Sequence, residues 1–287
     1  MAVRGRLPSH ASGSPLLLLD CGNSRLKWAL SRGSCAPAAR FAASGAIELA
    51  ALRRSAAPLL RVLRAVRRSA GEHTCIHACN VAGIAVQRLI RASAARVGLP
   101  APRFARSAAS AGGVHNAYFE PWRLGVDRWV ALIGARQRYP DRGLCIVAIG
   151  SALTIDLLDA DGRHRGGCIL PGPRMMIESL LQHTAGIRRR AALSGRGALS
   201  RALAGGAHDP LFAVATRAAL LAGARHACAA LIERAAQSAR RELGVRPRLI
   251  LAGGAADTVA PLLRLPYARQ DDLVLRGLAV LAQAAIA

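Results

Sequence analysis

The sequence predicts an α/β protein built from two similar domains with a cleft between them, and three observations carry that expectation. A chain of 287 residues is long enough for two domains at about 150 residues each. Two segments open alike. The apolar run Leu16 to Asp20 meets a glycine-containing turn and resumes at Leu26 to Leu30, and the run Leu144 to Ile149 meets Gly150-Ser151-Ala152 and resumes at Leu153 to Leu158. Stretches of helical periodicity follow each of them. The expected domains are 14–142 and 143–287, behind a loose extension at 1–13. With 52% apolar and 20% charged residues the chain is of ordinary globular composition. Only 3% is aromatic, so leucine, valine, isoleucine and alanine must form the core.

In the first half, residues 47–70 place apolar side chains at helical spacing with arginines between them and predict one amphipathic helix. A strand over Cys75 to Val81 follows, then a helix over Val86 to Val97 and a short strand at Phe104. Gly125 to Tyr139 reads as a helix with Trp129, Leu132 and Ile133 in its apolar stripe. In the second half, Asp161-Gly162 is a hairpin turn into a third strand, His164 to Leu170. Helices are expected over Met175 to Gln182 and Leu211 to Gln237. The strand Arg248 to Ala252 and the helix Leu273 to Ile286 close the chain.

Lysine plus arginine number 40 against 16 acids, a net +24. Lys27 is the single lysine, so the excess is arginine, spread along the whole chain as a GC-biased genome would produce. The densest runs, Arg53 to Arg68 and Arg188 to Arg190, have no interleaved aromatics and read as solvated helix faces, not as a specific nucleic-acid surface. No apolar stretch approaches the roughly 20 residues of a membrane span. Seven cysteines without a CxxC pair suggest neither a disulfide framework nor a zinc site, and reduced thiols point to the cytoplasm. His73, Cys75, His77 and Cys79 could ligate a metal. Their alternation over 74–81 reads instead as a buried strand.

Four segments carry chemistry. In Asp20-Cys21-Gly22-Asn23-Ser24-Arg25-Leu26-Lys27 a carboxylate ends a strand, a glycine allows close backbone approach, and Asn, Ser and Lys supply donors. These are the parts of a phosphate cradle, and a compact ammonium suits a phosphate oxygen. An ordinary polar hairpin turn is the competing reading. In Asn116 to Trp129, Tyr118 precedes Gly125-Val126-Asp127-Arg128. Here Arg128 can clamp a substrate carboxylate while Asp127 takes a proton from a hydroxyl; the competing reading is a helix N-terminal acid paired with a local arginine. The third segment is Gly150-Ser151-Ala152-Leu153-Thr154-Ile155-Asp156. The fourth, Leu251-Ala252-Gly253-Gly254-Ala255, runs a strand into a glycine pair that could pack under a nucleotide base.

In this order the segments resemble the type III pantothenate kinase family, also called the Bvg accessory factor family, of the acetate kinase, sugar kinase, Hsp70 and actin superfamily. The resemblance spans nearly the whole chain and rests on DCGNSRLK at 20–27, NAYFEPWRLGVDRW at 116–129, GSALTID at 150–156, GGCILPG at 166–172, TRAALLAG at 216–223 and LAGG at 251–254. It implies two duplicated ribonuclease H-like (actin-like ATPase) domains in a cytoplasmic homodimer. The implied activity is ATP-dependent phosphorylation of pantothenate, the first step of coenzyme A biosynthesis. By the same resemblance, Asp20, Cys21, Gly22, Asn23, Ser24, Arg25, Leu26 and Lys27 bind the ATP phosphates, with Asp20 holding Mg²⁺ through water. Ser151 stands where the family has an ATP-contacting threonine. Tyr118, Gly125, Val126, Asp127 and Arg128 bind pantothenate, Asp127 is the general base, and Thr216 contacts substrate across the dimer interface.

One position departs from the pattern. The family's aspartate two residues before the second hairpin glycine, assigned to a monovalent cation (K⁺ or NH₄⁺), is Ala148 here, so cation dependence is expected to be weak or absent. Other readings are an ATP-binding accessory protein of the same fold without turnover, which Ala148 favours, and a sugar or acetate kinase of the same superfamily. A nucleic-acid-binding module would rest on charge alone.

Overall fold

The computed structural model describes residues 15–32, 40–193, 197–204 and 210–284. They form two compact units. One holds the described residues up to Tyr139 together with those from Leu273 onward, and the other is Pro140–Asp272. The extension at 1–13 and Cys35 lie outside the described residues.

The first unit is built on β1 (Leu16–Cys21), β2 (Arg25–Ser31), β3 (Ala43–Glu48), β4 (Cys75–Asn80) and β5 (Arg103–Phe104), in the sheet order β3-β2-β1-β4-β5. β1 is a continuous apolar run because it is central and covered on both faces: Leu16 to Leu19 are all buried. It pairs antiparallel with β2 and parallel with β4, so that Asp20 faces Lys27 on one side and Cys79 on the other. One face of the sheet packs on α1 (Leu49–Arg54), α2 (Ala57–Ala70) and α3 (Ile84–Arg96) through Leu17, Leu19, Leu26 and Ile76 against Leu52, Leu59, Leu63 and Ile90. A small ribbon, β6 (Ser110–Ala111) with β7 (Val114–His115), leads towards α4 (Val126–Arg138).

The single helix expected over 47–70 is two helices. Ser55 is extended and its hydroxyl accepts the Ala57 N–H at 3.1 Å, while Pro58 has no N–H with which to continue the first helix. On α2 the leucines face inward and Arg61, Arg64 and Arg68 are exposed, as a solvated face requires. The strand β3 escaped the pattern because its Ala-Ser-Gly-Ala start is small and exposed. Its Gly45 leaves room for the indole of its register partner Trp28, which a Cβ would meet at about 2.9 Å.

The second unit repeats the layout with β8 (Leu144–Ile149), β9 (Ala152–Leu158), β10 (His164–Pro171), β11 (Arg248–Ala252) and β12 (Tyr267–Arg269) in the order β10-β9-β8-β11-β12. Three antiparallel strands are again followed by two parallel ones. Its helices are α5 (Pro173–His183), α6 (Ala185–Ala191), α7 (Ala198–Ala204) and α8 (Thr216–Leu243). Cys228, Ala229 and Ile232 of α8 pack on Val147, Leu153 and Leu251. The helix expected from Leu211 begins at Thr216, because Ala215 is extended; Leu211, Phe212 and Val214 are exposed.

The last helix, α9 (Leu273–Ala284), was expected with the second half and belongs to the first unit. Tertiary contact decides this. A Cβ on Gly134 of α4 would fall 2.1 Å from the Leu273 carbonyl oxygen, and one on Gly277 would fall 1.9 Å from that of Val130. The two backbones therefore touch where both side chains are absent. Among the described residues no helix is long and apolar enough to cross a membrane.

Candidate active site

The first hairpin turn is closed by the Gly22 N–H donating to the Arg25 carbonyl at 3.0 Å. Val81 N–H takes the Cys21 carbonyl and Leu49 N–H takes that of Ser24. The turn's acceptors are thus tied into the protein, which favours an anion over a cation at the exposed Asn23 and Ser24. Strand alternation divides the segment. Asp20 and Lys27 are register partners, whereas Cys21 and Leu26 are buried in the core, so any role of theirs at a phosphate is through the backbone. Arg25 pairs with Glu48 at 2.6 Å.

Asp127 lies in the first turn of α4, where the helix dipole favours a carboxylate. Its Oδ1 accepts the Arg128 N–H at 2.9 Å. A Cβ on the N-cap Gly125 would lie 2.9 Å from that oxygen, so the glycine lets the carboxylate fold back. Arg128 is buried beneath Tyr118: its Nη1 donates to the tyrosine Oη at 3.1 Å and its guanidinium lies 5.9 Å from the ring centre. Two residues that sequence reasoning gave no role hold this segment in place. Asn116 accepts from Tyr118 N–H and donates to the Ala108 and Pro121 carbonyls, and the Ser107 hydroxyl donates to the Leu124 carbonyl at 2.7 Å. An asparagine two residues before the tyrosine is the signal that could have found the first.

Electrostatics join the turn to the helix. Burial pushes the Asp20 carboxyl up to about 6; the Lys27 ammonium opposes that rise and the Asp127 charge adds to it. Cys79, register partner of Asp20, is pushed well above the usual thiol range by burial, with Asp20 and Asp127 adding to it. Its strand is the buried strand that the alternation predicted. The Asp20 carboxylate at a half-buried strand end, within reach of the Asp127 charge, is the kind of oxygen donor that suits a hard divalent cation completed by water.

Ser151 and Thr216 sit on separate elements of the second unit. Ser151 lies in the turn between β8 and β9, where the Gly150 N–H donates to the Ala152 carbonyl at 2.8 Å. A Cβ on Gly172 would come 2.2 Å from the Gly150 carbonyl oxygen, and one on Gly253 equally close to that of Ile149. Thr216 opens α8. Ala148 contributes no oxygen from its side chain, and the next acid along, Asp156, is held in a buried pair with His164 at 2.9 Å. These side chains do not fit a monovalent-cation site built on a carboxylate at 148.

The sequence profile of the type III pantothenate kinase family matches residues 16–238. The chain belongs to that family. A type III pantothenate kinase of Burkholderia mallei (strain SAVP1) is 41% identical over 270 residues, which cover 94% of this chain and 99% of the relative. Among solved structures, a conserved Baf family protein from Campylobacter jejuni aligns with a TM-score of 0.54 at 18% identity, covering 94% of this chain and 98% of that one. The activator of the 2-hydroxyisocaproyl-CoA dehydratase from Clostridium difficile, with bound ADPNP, aligns at 0.51 and 12% identity over 95% of both chains. These likenesses show the fold alone, an α/β architecture of two units with sheets of like strand order, as the sequence predicted.

Proposed function

We propose that the Asp20 turn and the Tyr118 to Arg128 segment are the phosphate side and the acceptor side of one phosphoryl-transfer site. As a member of its family the chain uses ATP to phosphorylate pantothenate, giving 4'-phosphopantothenate for coenzyme A biosynthesis. The observation that carries the assignment of roles is the field that Asp20 shares with Asp127, whose helix also presents Arg128 against Tyr118.

Lys27 meets the phosphate oxygens as a point charge, with the backbone of 22–24 and the Asn23 and Ser24 side chains as further donors. Arg128 clamps the pantothenate carboxylate, with Tyr118, Gly125 and Val126 beside it. Asp127 accepts the proton of the primary hydroxyl as its oxygen attacks the γ-phosphorus; the new O–P bond forms while the bond to the β–γ bridging oxygen breaks and ADP leaves. Mg²⁺ held by Asp20 through water would, when bound, neutralise phosphate charge. Ser151 contacts the nucleotide through its hydroxyl. Thr216 contacts substrate in a homodimer, a role supported by the exposed Phe212 and Val214 beside it. A cytoplasmic location is supported by the six described cysteines, which form no disulfide with one another.

Purified protein, pantothenate and MgATP, with K⁺, NH₄⁺ or Na⁺ as the sole monovalent cation, test this by mass spectrometry. Phosphopantothenate is expected in every salt. Strong saturable activation by K⁺ over Na⁺ would contradict the reading of Ala148. No product in any salt, with ATP binding verified separately, would favour the accessory protein without turnover.

A further inference from the structure

A second cationic place lies in the first unit, outside the residues assigned above. It is a cavity of about 450 Å³ bounded by Gln87 and Arg91 of α3 on one side and by Arg103, Phe104 and Arg106 on the other. Its position follows from strand register. Arg103 and Phe104 pair with His77 and Ala78, and the Ala105 N–H then donates to the Ala78 carbonyl. The next residue of β4 is Cys79, the partner of Asp20, so the cavity opens at the same carboxyl end of the sheet as the phosphate turn, two strands away. Open α/β sheets bind ligands at this end.

The charge is one-sided. Some exposed arginines elsewhere are answered by acids, as in Arg25 with Glu48, Arg165 with Glu242 and Arg174 with Glu178, while others stand on solvated faces such as that of α2. No acid lines this cavity, and among the described residues no carboxylate pairs with Arg91, Arg103 or Arg106. The Arg91 guanidinium is held over the Phe104 ring at 5.4 Å, which fixes its direction and covers the ring. The Asn80 amide is already spent on Ala82 N–H and the Gly83 carbonyl, so it is wall and not ligand. The like charges of Arg91 and Arg106 on one concavity repel one another and concentrate the field until an anion enters.

We propose that this cavity binds a small anion carrying two or more phosphoryl groups, at a site separate from turnover. A single phosphoryl group is met by one bidentate guanidinium. Guanidinium groups on two walls, from Arg91 and Arg106, span a longer ligand, and the volume accommodates one. The site does not depend on the role given to Asp127.

Calorimetric titration with inorganic tripolyphosphate, at about 0.15 M salt so that diffuse surface charge is screened, tests it. The Lys27→Gln protein is the background, which weakens the phosphate turn and leaves this cavity intact. One tripolyphosphate per chain is expected there. Arg91→Gln and Arg106→Gln, both at exposed positions, each weaken it roughly tenfold or more, the cost of a charge-assisted pair. The control Arg61→Gln with Arg64→Gln, on the solvated face of α2, leaves it unchanged. Equal affinity in the cavity variants and their parent would overturn the proposal, as would an equal loss in the α2 control. If wild type and Lys27→Gln bind alike, it is the phosphate turn that fails, and the cavity stands.

Discussion

The two hairpins that open the two units have one backbone plan and opposite chemistry. Each runs a buried central strand into a turn closed by a glycine N–H, at 3.0 Å for Gly22 and 2.8 Å for Gly150, and each sits in a sheet of the same strand order. At the last strand position but one, the first hairpin carries Asp20 facing Lys27, and the second carries Ala148 facing Thr154. The first turn is roomy, for a Cβ on Gly22 would lie 3.5 Å from its nearest neighbour. The second is crowded by backbone, with Gly172 and the left-handed Gly253 (φ +96) pressed against it. A duplicated fold therefore provides two turns. One has kept charge and the other has kept close backbone approach.

The sharpest way to break this contrast is to add one methyl group within the first turn and one to the backbone pressed on the second, at the N-cap of α5. Gly172→Ala drives a Cβ onto a carbonyl oxygen and should cost about 3 kcal/mol of unfolding free energy, whereas Gly22→Ala should cost under about 1 kcal/mol. Chemical denaturation of the two variants measures both. Similar costs would mean that the turns are equally crowded.

The charge half of the contrast is tested next. Lys27→Gln should lower kcat/KM for ATP roughly tenfold to a hundredfold, and Thr154→Val, its register equivalent, less than about threefold. Steady-state kinetics on the two variants decide it, and equal losses would place phosphate charge at both turns.

A smaller effect follows from Asp20. Its carboxyl titrates near 6 in the folded chain against 3.8 for the ordinary group, because burial disfavours its charge. Between those values the native state binds more protons than the unfolded one, so this group's contribution to stability falls as pH rises through that window. In metal-free protein, Asp20→Asn should therefore melt above wild type near about pH 8, by roughly 1–2 kcal/mol, with the gain gone near about pH 4. A gain that does not change with pH would deny the strain.

Both hairpins were legible in the sequence because an unbroken apolar run ended by a glycine turn has few other structures open to it. The candidate site segments were legible because Asp20 and Lys27 flank a turn and Asp127 and Arg128 open a helix, where local rules operate. What escaped depended on distant partners. Strand β3 is held by Trp28 over Gly45 and not by its own hydrophobicity. Helix α9 joins the first unit because Gly134 and Gly277 let two backbones meet, and nothing within either helix announces the other. The shared field of Asp20 and Asp127 arises between residues more than a hundred positions apart. The cavity arginines were hidden in a chain that has arginine everywhere.

The central claim is that Asp127 takes the substrate proton beside a phosphate turn that binds nucleotide without it. The most direct measurement compares Asp127→Asn with wild type for phosphopantothenate formation and, in parallel, for ATP affinity by equilibrium titration. The account predicts a loss of turnover of roughly a hundredfold to ten-thousandfold with ATP affinity nearly unchanged. Turnover retained near the wild-type rate would remove Asp127 from the role of base and contradict the account.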